Sequence, residues 1–244
     1  MKRFILCMLL LYSCMSAQNQ EMTVELGVKG EIQFILTDPM GRREGIDPRS
    51  GARYREINNS YGVYSVDSED PDFPAPPPII EFISYSPIPG EYGLTLYGVG
   101  RSRYEIDGFL MVRPLRLTFS TRGVIDSLQS AEYRFHLDTT GRKPWFKKIV
   151  GVHSLRQDLD NCYKLELLGA RPLYIDFSHR VAKYEEAAGK GASRAKHELE
   201  KFKKKLDEVY EKTKRATKER NHFVTDLAYR ILKEDIEILL KANK

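Results

Sequence analysis

Near residue 150 the spacing of apolar residues changes from two to an alternation of three and four, and no single layer of secondary structure satisfies both spacings. Before that point short runs alternate as half-buried strands do. After it, apolar residues recur along one side of a helix. The chain has 244 residues and a mass of 28.2 kDa, enough for two modest domains. Its 41% hydrophobic and 30% charged residues exclude a disordered, collagen-like or multispan membrane chain. The expected fold class is α+β in two domains: an antiparallel β-sandwich over residues 20–150, then an α-helical bundle with one long helix over residues 153–244.

In the first half, residues 23–28, 31–36, 79–83, 92–97, 104–109, 115–119 and 131–137 read as strands. Gly90 after Pro89 and Gly141 after Thr140 mark turns, because glycine accepts positive φ. Five prolines between Pro71 and Pro78 predict an extended loop, since proline lacks the N–H that a central strand donates. In the second half Leu155, Leu159, Cys162 and Tyr163 share a helix face, and Ile175, Phe177, Val181 and Tyr184 mark a second helix. Gly189 and Gly191 bracket a break. Ala195, Leu199, Phe202, Leu206, Val209, Thr213 and Ala216 form a heptad-like stripe. Its part up to Leu206 is expected inside the bundle; the remainder either packs there too or pairs with a partner helix. The last helix carries Leu227, Ala228, Ile231, Leu232, Asp235, Ile236, Leu239 and Leu240.

The N-terminus reads as a signal peptide over residues 1–17. Lys2 and Arg3 precede an apolar stretch of 12 residues, Phe4 to Met15, shorter than the roughly 20 that a spanning helix needs. Cleavage after Ser16 or Ala17 competes with a lipoprotein reading, in which Leu11, Tyr12, Ser13 and Cys14 form a lipobox and Cys14 is the acylated first residue. The expected location is outside the cytoplasm: periplasmic, outer-membrane-attached or extracellular. Of three cysteines, Cys7 and Cys14 fall in the signal, so Cys162 stands without a disulfide partner and is read as a buried, inert thiol.

The run Asp38, Pro39, Met40, Gly41, Arg42, Arg43, then Asp47, Pro48, Arg49, Ser50, Gly51, then Glu56, Ile57, Asn58, Asn59, is followed by Gly90, Glu91, Tyr92 in a strand. Over residues 22–112 it resembles a β-sandwich accessory module of secreted bacterial multidomain proteins. The resemblance implies a sandwich of the immunoglobulin or pre-peptidase kind with an accessory or interaction role and no enzymatic activity. Residues 153–241 are similar to the FIMAH-type (FIVAR-like) helical module of bacterial surface proteins. Leu155, Leu159, Tyr163, Leu167, Leu168, Gly169, Ala195, Leu199, Phe202 and residues 228–236 carry that likeness. Residues 207–220 lengthen the third helix relative to that module. Such modules usually trail a hydrolase or adhesin.

Asp67 and Asp70 in the acidic loop, with Asp38 and Asp47, are candidate Ca²⁺ ligands, because hard cations take six to eight oxygens. The alternative is that these aspartates cap their own turns. Arg42 and Arg43 either take a partner's carboxylate or sulfate through the guanidinium fork or pair internally with Asp38 or Asp47. Tyr54 and Tyr61 join them as candidate binding residues. With Tyr64, Phe73 and Tyr85 they flank the long loop, as a sugar- or peptide-binding platform if exposed and as core edges, the commoner role, if buried. Trp145 is expected to pack between the two halves.

The net charge of +5 becomes +3 once Lys2 and Arg3 are set aside, too small to argue for nucleic acid. Residues 178–220 carry 14 Lys and Arg against 8 Asp and Glu, and the interspersed glutamates fit a solvated face. The sequence holds no Gly-x-Ser-x-Gly, His-Glu-x-x-His, phosphate-binding glycine loop or Cys-x-x-Cys. These readings converge on an exported, non-catalytic binding or assembly module. It would act through protein partners of the envelope or cell surface, with residues 38–64 as the recognition surface. Nucleic acid is not an expected partner, and membrane attachment is expected only through an acylated Cys14. No cofactor is expected beyond Ca²⁺. The alternatives are a carbohydrate- or peptide-binding module using that Ca²⁺, and a hydrolase with an unrecognised site.

Overall fold

The computed structural model describes residues 22–64, 79–215 and 223–243. Residues 1–17, read above as a signal peptide and including Cys14, lie outside them, as do Asp67 and Asp70. Eleven strands are described: β1 (Met22–Lys29), β2 (Ile32–Thr37), β3 (Arg43–Ile46), β4 (Arg53–Arg55), β5 (Ser60–Tyr64), β6 (Ile79–Tyr85), β7 (Gly90–Gly98), β8 (Ser102–Val112), β9 (Leu115–Ile125), β10 (Ser130–Leu137) and β11 (Trp145–Ile149). Four helices follow: α1 (Val152–Lys164), α2 (Arg171–Ala188), α3 (Ala192–Lys214) and α4 (Asp226–Ala242). The fold is α+β, and the strands form two antiparallel sheets in a sandwich-like arrangement. One sheet has the order β5-β6-β1-β8-β9, the other β11-β10-β7-β2-β3-β4.

The two-residue period decides which side chains enter the sheet core. Val24, Leu26 and Val28 of β1, Phe34 and Leu36 of β2, Leu94 and Leu96 of β7, and Ile106 and Leu110 of β8 all point inward and are buried. Each contributes about 1.5–3 kcal/mol relative to an exposed position. Strands β3, β4, β5 and β11 are not among the runs read from the sequence. They are short and carry Arg, Gly, Tyr and Lys, so their pairing is set by neighbouring strands and not by their own alternation.

The helices enclose a second core of Leu155, Leu159, Cys162, Phe177, Val181, Leu199, Phe202, Ile231, Leu232 and Ile236, joined by Val124 of β9. Ser154 Oγ accepts the Gly151 N–H at the start of α1, and Thr225 Oγ1 accepts the Ala228 N–H at the start of α4. In α2, Ile175 is exposed and Leu173 takes the buried face. The stripe on α3 shifts by one residue after Leu206, to Tyr210. An ideal helix drifts about 20° per heptad against a strict seven-residue repeat, so a position four beyond Leu206 faces the partner. Tyr210 stacks on Tyr229 of α4 with ring centroids 3.7 Å apart, and its hydroxyl donates to Asp226 at 2.6 Å. The described part of the stripe beyond Leu206 therefore packs within the helices, while Ala216 lies outside the described residues.

The helices lie where the two sheets end side by side. Phe119 of β9 stacks on Phe146 of β11 at 4.0 Å, and α1 and α4 pack against β9. Helical cover of this kind keeps edge strands from pairing with other chains. Among the described residues no helix is long and apolar enough to cross a membrane.

Candidate functional site

Between β2 and β3 the chain reverses through Asp38, whose buried carboxylate accepts the N–H groups of Met40 and Arg42 at 2.9 Å and the Arg42 Nε at 2.7 Å. Asp47 repeats the device after β3, accepting the Arg49 N–H at 2.9 Å and the Ser50 hydroxyl at 3.0 Å. The Arg49 N–H, the leading cause, holds the Asp47 pKa below the ordinary carboxylate range. Both aspartates thus close their own turns, and Arg42 is tied to Asp38. Among the described residues no group of three or more His, Cys, Asp and Glu is arranged to hold a metal ion.

Arg43 and Tyr54 do come together. The Arg43 guanidinium lies 3.8 Å over the Tyr54 ring centroid, while Arg43 N–H donates to the Glu56 carboxylate at 2.8 Å. Tyr61 lies elsewhere, on β5 of the other sheet, and is 66% exposed. The solvent-facing side of that sheet is read from its register, because directly paired residues project from one face. One row runs Tyr61, Ile83, Glu25, Phe109, Thr118 across β5, β6, β1, β8 and β9. The next runs Tyr85, Thr23, Met111, Arg116. Tyr85 is exposed, Ile83, Phe109 and Met111 are half-exposed, and the Arg116 guanidinium lies 4.6 Å over the Phe109 ring. Tyr61 and Tyr85 are therefore solvent-facing, against the expectation of core edges. The reason is that Phe82 and Ile80 take the inward positions of β6.

A third group stands at the junction of sheets and helices. Lys148 of β11 is buried, and its Nζ donates to Asp158 Oδ2 of α1 and Asp235 Oδ1 of α4, each at 2.6 Å. Close by, the buried hydroxyls of Tyr104 and Tyr133 share a hydrogen bond at 2.8 Å. Burial opposes the charge on Lys148, but the two carboxylates outweigh it and push its pKa well up. Burial, joined by the Asp158 carboxylate, pushes Asp235 up against the opposing pull of Lys148. Burial pushes the Cys162 thiol up as well, and this cysteine is buried and unpaired. Trp145 does not pack between the halves. It stacks on His136 at 5.8 Å, on the side of β11 opposite Phe146 and Lys148.

Sequence reasoning missed Lys148, which sits in a basic run beside Trp145. The available signal was in the helices: Asp158 precedes Leu159 on an apolar face, and Asp235 sits within the stripe of the last helix. An acid on an apolar face needs a buried partner. Ile83, Phe109 and Met111 carry no such signal, since strand register alone gathers them beside Tyr61 and Tyr85. No family model, no curated protein and no solved structure matches the chain.

Proposed function

We propose that this chain is an exported, non-catalytic binding or assembly module acting through protein–protein contacts. We read it as two domains, an immunoglobulin-like sandwich and a helical bundle. The observation that carries the reading is the solvent-facing cluster of Tyr61, Ile83, Tyr85, Phe109 and Met111 on the five-stranded sheet. It spans three inter-strand gaps, about 14 Å at about 4.8 Å each. Tyr, Phe and Met are the side chains enriched in interface cores, and a sheet face this flat suits a protein surface better than a small molecule. Export rests on the N-terminal segment.

Photo-crosslinking tests the reading. Benzoylphenylalanine placed at Tyr61 or Tyr85 should give discrete protein adducts in envelope fractions, whereas the same group at exposed Glu200 on α3 should not. Equal labelling from all three positions, or none, removes the sheet face as the partner surface. Tyr61→Ser with Tyr85→Ser should lower the retained partner at least about tenfold, as for loss of an aromatic anchor. Both positions are exposed, so stability should change by only about 0.5 kcal/mol.

A further inference from the structure

The Lys148 cluster holds one cation and two carboxylates with almost no access to water. If both acids were ionised, the group would bury an uncompensated negative charge, which folded proteins avoid by retaining a proton. The geometry shows where that proton belongs. Asp235 Oδ2 is buried and has no hydrogen-bond partner, while Lys148 Nζ bridges Asp235 Oδ1 and Asp158 Oδ2 at 2.6 Å each. A buried carboxyl oxygen without a donor is where a retained proton avoids an unpaired charge. The cluster bridges three elements from both cores, β11, α1 and α4, at residues far apart in sequence.

We infer that Lys148, Asp158 and Asp235 form a proton-loaded latch: one proton held on the pair of carboxyls bridged by Lys148 keeps the helices on the β9–β11 edge, and its loss as pH rises releases them. Release with both cores intact rests on the two-domain reading above, and separate cores are what that reading requires. Two clefts give water a route to the latch, one of about 380 Å³ reaching Lys148 and Asp158, the other of about 510 Å³ reaching Lys148 beside Glu234.

Several other groups face the cluster. Tyr104 of β8 and Tyr133 of β10 are held neutral by burial, Tyr133 with its pKa pushed up to about 12. The buried Cys162 thiol of α1 is likewise held neutral. Arg122 of β9 is turned outward onto Glu105. Glu132 and His153 line the smaller cleft, and Arg230 lines the larger. Glu234 of α4 is a neighbouring acid whose pKa burial also raises, so it is the control. Since docking raises the Asp235 pKa, the stabilisation is complete below the ordinary aspartate value of 3.8 and is lost as pH rises through the docked value.

Energy transfer between dyes on Met40→Cys and Glu200→Cys, both exposed, reads the docking directly. From pH 6 to 11 the opening constant of this chain should rise about tenfold per pH unit while pH is below the docked pKa and level off above it. Asp235→Asn, whose neutral amide stands in for the protonated carboxyl, should stay closed, and Glu234→Gln should open like the parent. Transfer that stays constant in the parent overturns the latch, as does an Asp235→Asn titration matching it. If far-ultraviolet circular dichroism collapses in step with the opening, the two-domain reading fails. The difference between parent and Asp235→Asn still decides the latch.

Discussion

Lys148→Met should destabilise the protein by about 3–5 kcal/mol, the cost of leaving buried carboxylates without their counter-charge. Methionine fills the space of the lysine stem, so the loss is electrostatic and not a packing defect. Two features separate this from ordinary core damage. Acidification should restore part of the stability, because Asp158 and Asp235 can both protonate once the cation is gone. Combining Lys148→Met with Asp158→Leu and Asp235→Leu should bring stability back to within about 1–2 kcal/mol of the parent, or above it, since apolar replacement of a whole buried ion cluster is often neutral or stabilising. Urea unfolding followed by circular dichroism measures the parent and both variants. A loss under about 1 kcal/mol for Lys148→Met would falsify the view that the cluster is a desolvated ion group.

Gly45→Ala should cost at least about 3 kcal/mol and detach the β3–β4 hairpin. Gly45 has φ of +124°, a region that side chains avoid, and an added Cβ would sit 2.0 Å from the Phe34 carbonyl oxygen. The obstacle is backbone of the paired strand β2, so no rotamer change relieves it. Gly41→Ala is the comparison. Its φ is +80° but nothing lies within 4 Å of the added carbon, so about 1 kcal/mol is expected. Similar denaturation midpoints for the two variants would mean that β3 shifts away at little cost. Since β3 and β4 carry Arg43 and Tyr54, loss of their cation–π contact should accompany the Gly45→Ala defect.

Both predictions concern residues that sequence patterns treat as unremarkable. Lys148 belongs to a basic run, and Gly45 lies in a glycine-rich turn region. The central strands were readable because Val24, Leu26, Val28, Leu94 and Leu96 repeat at two, and the helices because Leu155, Leu159, Leu199 and Phe202 repeat at three and four. The short edge strands were not, since a strand of three to five residues has no period long enough to register. Of the candidate site residues, Asp38 and Asp47 were legible as turn caps because an aspartate bonds to backbone two residues on, a purely local event. Tyr61 and Tyr85 were named together beside the long loop, but Ile83, Phe109 and Met111 were not recognised as part of their surface.

By itself the sequence determined the layer types, the change from sheet to helix near residue 150 and the turns around Asp38 and Asp47, because propensity, period and side-chain caps act within a few residues. Only the tertiary structure decided that Lys148 meets Asp158 and Asp235, separated from it by 10 and 87 residues, and that two tyrosines share a solvent face. Those outcomes depend on strand order and on which sheet edge the helices cover. Such choices are made by the burial of whole surfaces and leave no mark at fixed spacing along the chain.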